Sequence, residues 1–307
     1  MNLNSLVLAG LALAVLPILT SAQEKKKAPP PKLTTIAIKS DVQLYRKTPQ
    51  GELFLHVYYP PDWKASDKRP AIVFFFGGGW KNGAYTQFVP QSEYFASRGL
   101  VCASADYRIE STHMTTPDAC VEDAKAAVRF MRANAAKLGI DPDRLIASGG
   151  SAGGHLAAAT ALVEGFDAKD DDAKTSCKPN ALVLFNPALN LTNLGGRSIT
   201  DASGKEISKA ISPTMFLKKG TPPTIMFFGT VDKLIAHGDE FLEKSRKLGN
   251  RCELFTAADM PHGFFNRTPW IETTARQADV FLASLGYLKG EPTIKLPAGA
   301  KALELRK

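Results

Sequence analysis

Ala147-Ser148-Gly149-Gly150-Ser151-Ala152-Gly153-Gly154-His155 follows a short apolar run, Arg144-Leu145-Ile146-Ala147, and leads into the helix-forming Leu156-Ala157-Ala158-Ala159. G-x-S-x-G set between a strand and a helix is the layout of a nucleophile elbow, a strained turn that exposes a serine hydroxyl. Gly149 and Gly153 flank the serine because a Cβ at either place would collide across so sharp a turn. Ser151 then stands at a helix N-terminus, where free N–H groups and the helix dipole favour negative charge. The pentapeptide alone is common. Its place between strand and helix makes Ser151 the candidate nucleophile.

Outward from the elbow, the pattern is that of an α/β protein. Continuous apolar runs at 71–76, 100–105, 145–147, 181–185, 224–228 and 252–255 fit strands buried on both faces of a mainly parallel sheet. Between them, 117–138 predicts the best helix: Pro117 suits its first position, Lys137 lies late and Gly139 supplies a cap. Val121, Ala124, Val128, Met131, Ala135 and Leu138 recur at helical spacing and should face the sheet. Further helices are expected at 239–248 and 272–285. Ahead of all this, 41–45 and 52–58 alternate in polarity and join through Thr48-Pro49-Gln50-Gly51, which predicts an antiparallel hairpin. One α/β domain over 35–288, with helices on both faces and little or no cap, accounts for this order.

A serine hydroxyl needs a base to take its proton and usually a carboxylate to orient that base. In chain order an elbow of this kind is followed by the acid and then the histidine. Of five histidines, His56 and His113 precede the serine. His155 rides the elbow helix, too near in sequence to fold back, and reads as a packed residue. His237 has only Asp232 between it and the preceding strand. His262 remains, in Met260-Pro261-His262-Gly263-Phe264 after the final strand. For the acid, Asp232 lies just past the C-terminal end of the run 224–228, the edge where functional loops gather in parallel sheets. The tetrahedral oxyanion needs donors aimed in advance. The backbone N–H of Ala152 is one candidate, and Gly78 and Gly79, in Phe76-Gly77-Gly78-Gly79-Trp80, are the others.

Phe76-Gly77-Gly78-Gly79-Trp80, Asp106-Tyr107-Arg108, the elbow through His155, and Pro261-His262-Gly263-Phe264-Phe265 together resemble the α/β-hydrolase esterases. The chain is most similar to their acetylxylan/feruloyl-esterase-like (BD-FAE-like) and hormone-sensitive-lipase-like families, over about residues 35–288. The resemblance implies a serine carboxylic-ester hydrolase acting through Ser151, Asp232 and His262, with neither metal nor cofactor, and a bracing role for Asp106-Tyr107-Arg108. Phe76 departs from the pattern, since these families usually carry histidine before the glycines to brace the oxyanion loop. An acylated polysaccharide such as acetylated xylan is the expected substrate, acetyl first and feruloyl second. Trp80, Tyr85 and Phe264 are candidates for a sugar-stacking wall, against plain loop packing. The insertion 189–221 reads as polar and Gly/Ser-rich. Competing readings are a small-molecule carboxylesterase or arylformamidase-like hydrolase, and a catalytically silent binding module.

The ends and the composition bound these readings. With 307 residues, 44% hydrophobic and 22% charged, the chain has an ordinary globular make-up. Residues 1–22 carry no charged side chain, an apolar run at 6–19 and then Thr20-Ser21-Ala22, as a cleaved export signal does. A secreted or periplasmic protein without a lasting membrane span is therefore expected. Residues 23–34 read as a basic, proline-stiffened spacer and 289–307 as a basic tail trailing from the body. Much of the formal charge of +8 sits in these ends, and no basic stripe interleaved with aromatics suggests nucleic acid. Cys102, Cys120, Cys177 and Cys252 match no metal spacing and leave bridges or buried thiols open. Asn190-Leu191-Thr192 and Asn266-Arg267-Thr268 fit the glycosylation pattern.

Overall fold

Alternation along each apolar run decides the two faces of the sheet. In β3 (Arg69–Phe75), Ala71, Val73 and Phe75 enter one core cluster while Ile72 and Phe74 enter the other. A computed structural model describes residues 31–307, so the expected export signal and most of the expected spacer lie outside the described residues. The other strands are β1 (Lys39–Thr48), β2 (Gly51–Tyr59), β4 (Val101–Ala105), β5 (Ile140–Gly150), β6 (Ala181–Phe185), β7 (Thr224–Gly229), β8 (Cys252–Ala257) and β9 (Glu304–Leu305). They form one nine-stranded sheet in the order β1-β2-β4-β3-β5-β6-β7-β8-β9. From β4 to β8 every neighbouring pair is parallel. The expected hairpin β1–β2 joins β4 antiparallel at one edge.

The helices are α1 (Val89–Ser97), α2 (Glu110–His113), α3 (Pro117–Ala133), α4 (Ala135–Leu138), α5 (Ala152–Leu162), α6 (Ile235–Lys247) and α7 (Trp270–Ser284). α3, α5 and α6 contribute to one core cluster and α1 and α7 to the other, so helices cover both faces. Every residue of α5 is buried. Its glycines and alanines let it lie close against the sheet, where bulkier side chains would hold it away. The single helix expected over 117–138 is broken at Asn134, whose backbone leaves helical geometry and whose side chain bonds the Phe130 carbonyl. The apolar spacing continues through α4, which is why the pattern reads as one helix.

Residues 289–307 do not trail away. Ile294 is buried, β9 pairs antiparallel with β8, and Arg306 makes a two-pronged ion pair with Asp239. Leu33, in the expected spacer, is buried in the same core cluster as α1 and α7. Single apolar anchors among Lys, Pro and Gly leave no periodicity, so composition alone misjudges both segments. The insertion 189–221 is likewise anchored, by the buried Leu189, Leu191, Ile199, Ile207 and Ile211. All four cysteines are buried free thiols, and burial pushes Cys252 up to about 12. Among the described residues no helix is long and apolar enough to cross a membrane.

Candidate active site

Ser151 sits where β5 turns sharply into α5. Its φ of 54° and ψ of −117° lie outside the ordinary allowed regions, a strain that the surroundings must hold in place. Its N–H donates to the Phe185 carbonyl on β6 at 2.9 Å. The flanking glycines are steric necessities. A Cβ on Gly153 would stand 2.0 Å from the Phe75 carbonyl oxygen, and one on Gly149 2.4 Å from that of Gly153.

The structure brings Ser151, His262 and Asp232 together in sequence-distant loops at the C-terminal ends of β5, β8 and β7. The Ser151 hydroxyl donates to His262 Nε2 at 2.8 Å, and His262 Nδ1–H donates to Asp232 Oδ2 at 2.8 Å. The other carboxylate oxygen accepts the Leu234 N–H at 2.8 Å. The carboxylate is fully buried while the imidazole is 40% exposed, so the base faces the open side and its orienter the interior. The acid and histidine loops are locked to one another. Val231 N–H donates to the Met260 carbonyl, Asp259 N–H to Thr230 Oγ1, and a Cβ on Gly229 would lie 1.8 Å from Met260 O. Such an arrangement can move the serine proton to Nε2 while Asp232 holds the required tautomer.

Gly77 borders the elbow closely: its Cβ position would be 3.3 Å from Ser151 Cβ. Gly78 and Gly79 adopt φ of 131° and 65°, and a Cβ on Gly78 would lie 1.9 Å from Asn82 O, so this hairpin needs glycine. Lys81 and Asn82 both donate to the Gly78 carbonyl. The N–H groups of Gly78 and Gly79 donate to nothing among the described residues. Ala152 opens α5, so its N–H has no partner within the helix.

The three candidates for a sugar-stacking wall are packed rather than laid open as rings. Trp80 is 5% exposed and spends its indole N–H on His155 Nδ1 at 3.1 Å, since a buried indole needs an acceptor. Phe264 is 4% exposed and packs edge-on against Trp270. Tyr85 is half-buried with its ring stacked on His56. Each aromatic ring has found a protein partner, which residue type alone could not disclose. His155 is a fully buried helix residue whose Nε2–H donates to Ile211 O. His237 is also buried and donates to Asn193 O. The bracing expected of Asp106-Tyr107-Arg108 has concrete form. The Tyr107 hydroxyl donates to Phe76 O at 2.6 Å, its ring stacks on Phe76, and Arg108 pairs with the fully buried Asp123. Phe76 thus packs beneath the loop against Tyr107 and Gly83.

Sequence reasoning missed three polar residues. Asn186, fully buried with φ of 37°, accepts the Gly263 N–H on Oδ1 and brings Nδ2 within 3.4 Å of His262 Nε2. Its signal was available: a polar residue at the C-terminal end of an apolar strand beside the elbow. Gln87 and Asn266, bonded to each other at 3.0 Å, left no such signal. Both amide ends of Asn266 are engaged, and Asn190 is buried and bonded to Glu240, so neither glycosylation pattern presents a free asparagine. One hollow reaches the glycine loop and another the histidine loop. The first, of about 510 Å³, is lined by Gly79, Trp80, Lys81, Glu110, Met114 and Arg197. The second, of about 280 Å³, is lined by His262, Met260, Pro261, Phe264, Arg267 and Trp270.

A serine hydrogen-bonded to a carboxylate-oriented imidazole at the C-terminal edge of this sheet defines a class, the serine esterases of the α/β-hydrolase fold. The chain belongs to the BD-FAE family, whose model matches residues 55–244. Carboxylesterase NlhH of Mycobacterium tuberculosis is 33% identical over 254 residues, 75% of this chain and 77% of that protein. Acetylxylan esterase of Xylanibacter ruminicola is 26% identical over 239 residues, 73% of this chain and 46% of that protein. Esterase LipQ of M. tuberculosis is 28% identical over 202 residues, 60% of this chain, and the chain spans only 47% of its length. Among solved structures, the apo form of Thermogutta terrifontis esterase 2 superposes with a TM-score of 0.77 at 44% identity. It covers 82% of this chain and 97% of its own. The same esterase is known phosphorylated by paraoxon.

Proposed function

We propose that the chain is an exported enzyme that removes short acyl groups, acetyl first and feruloyl second, from a carbohydrate ester such as acetylated xylan. In this reading His262 takes the Ser151 proton as Ser151 attacks the ester carbonyl. The N–H groups of Ala152 and of Gly78 or Gly79 hold the oxyanion, and Asp232 orients the imidazole. His262 then protonates the leaving alcohol, and water, activated by the same imidazole, releases the acid. The observation that carries the chemistry is the unbroken Ser151–His262–Asp232 relay at 2.8 Å per step. The half-exposed base at the edge of a hollow supports a bulky substrate. The likeness to an acetylxylan esterase supports the polymer, and the propionate- and butyrate-bound forms of the Thermogutta esterase support a short acyl group.

A second reading, a small-molecule carboxylesterase, draws on the higher identity to NlhH and to the Thermogutta esterase. Acetate release from acetylated xylan, run beside p-nitrophenyl acetate with Ser151→Ala as control, separates the two. Release from both substrates, lost in Ser151→Ala while the fold persists, is the expected result. Activity on the small ester alone would move the assignment to the second reading, and activity retained by Ser151→Ala would refute both.

A further inference from the structure

The glycine loop faces a mechanical problem. Its free N–H groups must be held near Ser151, yet the side chain that precedes the glycines, the Phe76 ring, can make no hydrogen bond. The Phe76 ring packs against Tyr107, whose hydroxyl donates to the Phe76 carbonyl at 2.6 Å, so this brace stops at the strand end. The polar grip on the first glycine comes from elsewhere. Gln87 Oε1 accepts the Gly77 N–H at 2.6 Å, and Gln87 Nε2 donates to Asn266 Oδ1 at 3.0 Å. Asn266 Nδ2 in turn donates to the Gly263 carbonyl at 3.0 Å, one residue past His262. On the far side the same peptide segment is gripped by Asn186, which accepts the Gly263 N–H. The direction of the chain is set at both ends by backbone groups that can act only as donor or acceptor, so neither amide can flip without breaking two bonds.

We propose that Gln87 and Asn266 form a latch that fixes the oxyanion loop relative to the His262 loop, making both of them positioning residues for ester hydrolysis. This rests on the triad reading above and extends it to residues outside the triad. Gly77 is the point where the loop touches the elbow, so a grip on its N–H sets the direction of the next two peptides. The base of the latch is rigid. Gln87 lies in a single 3₁₀ turn, Tyr85–Phe88, whose Phe88 is buried and stacks on both Phe74 and Phe265. Because Gly77 spends its N–H on Gln87, the donors left for the oxyanion are those of Gly78 and Gly79 with Ala152. An oxyanion hole works through donors held in place before reaction, so a loosened loop lowers transition-state binding more than substrate binding.

The test compares Gln87→Leu, Gln87→Glu and Asn266→Ala with the full chain on p-nitrophenyl acetate. Inhibition by an aryl trifluoromethyl ketone, which adds the serine to give a tetrahedral adduct, is measured alongside. Gln87→Leu is expected to lower kcat by about 10- to 100-fold with KM within about threefold, as a misplacement of about 1 Å would do. The ketone should weaken by the same factor, because its oxyanion sits in the same hole. Gln87→Glu keeps the acceptor for Gly77 but sets a second acceptor against Asn266 Oδ1, so it should recover only part of the loss and reach no further than Asn266→Ala. Asn266→Ala cuts only the far half and should fall between, and it carries the test if Gln87→Leu fails to fold. Variants with kcat within twofold of the parent, or a loss of kcat without a matching loss of ketone affinity, would overturn the latch and leave the triad standing. Activity surviving in Ser151→Ala would instead overturn the triad reading itself.

Discussion

Acidification should destabilise this protein through one imidazole that takes no part in the triad. His155 is fully buried between the Trp80 indole N–H, which it accepts on Nδ1, and the Ile211 carbonyl, to which Nε2–H donates. Burial lowers it from 6.5 to about 4, against a smaller upward pull from the Ile211 carbonyl. Protonation also sets a second N–H against that of Trp80. The unfolded chain takes up this proton below 6.5, whereas the folded one resists until about 4. Its contribution is therefore intact above 6.5, lost progressively as pH falls through that window, and unchanged below it. The full window is worth about 3 kcal/mol, and about 2.5 kcal/mol of it is gone by about pH 4.5. That is a large share of an ordinary domain's stability. Urea unfolding followed by far-UV circular dichroism at about pH 7.5 and about pH 4.5 measures the loss. His155→Gln is the control, since an amide can accept from Trp80 and donate to Ile211 without titrating. The parent should lose about 2.5 kcal/mol more than His155→Gln between the two conditions. Equal losses in the two proteins would refute the reasoning, because other titrating groups are common to both.

Three further outcomes follow from the site. Asp232→Asn should lower kcat by about 10⁴-fold with little change in melting temperature, because an amide facing Nδ1 favours the tautomer that cannot accept the serine proton. A loss under tenfold in steady-state kinetics would place the orienting carboxylate elsewhere. Gly153→Ala drives a Cβ to within 2.0 Å of the Phe75 carbonyl oxygen, at the strand end leading into the glycine loop. It should cost about 1–3 kcal/mol in chemical unfolding and lower kcat as well, and a variant as stable as the parent would contradict the packing described. Phe76→His should change kcat less than about threefold, because the oxyanion loop is held by Gln87; a gain of about tenfold or more would show that the loop lacks a brace.

The order of elements was legible because parallel strands buried on both faces leave continuous apolar runs, and because glycine must stand where Ser151 turns into α5. The triad candidates were legible for a related reason. Chain order and position past a strand end are one-dimensional facts, and they single out Asp232 and His262 for Ser151. The break at Asn134 and the anchoring of 289–307 were not. The first leaves helical spacing intact, and the second depends on single apolar residues. Gln87 and Asn266 were silent in sequence because their meaning lies in a contact spanning 179 positions. Trp80 and Phe264 were left open for the same cause: an aromatic side chain on a loop can face solvent or core, and only the neighbours brought by folding decide which. The chain alone determined which residue types stand at the strand ends and the strained turn, because those follow from local geometry. Tertiary structure alone decided what each polar or aromatic group is paired with, because a hydrogen bond or a packed ring needs a partner from elsewhere in the chain.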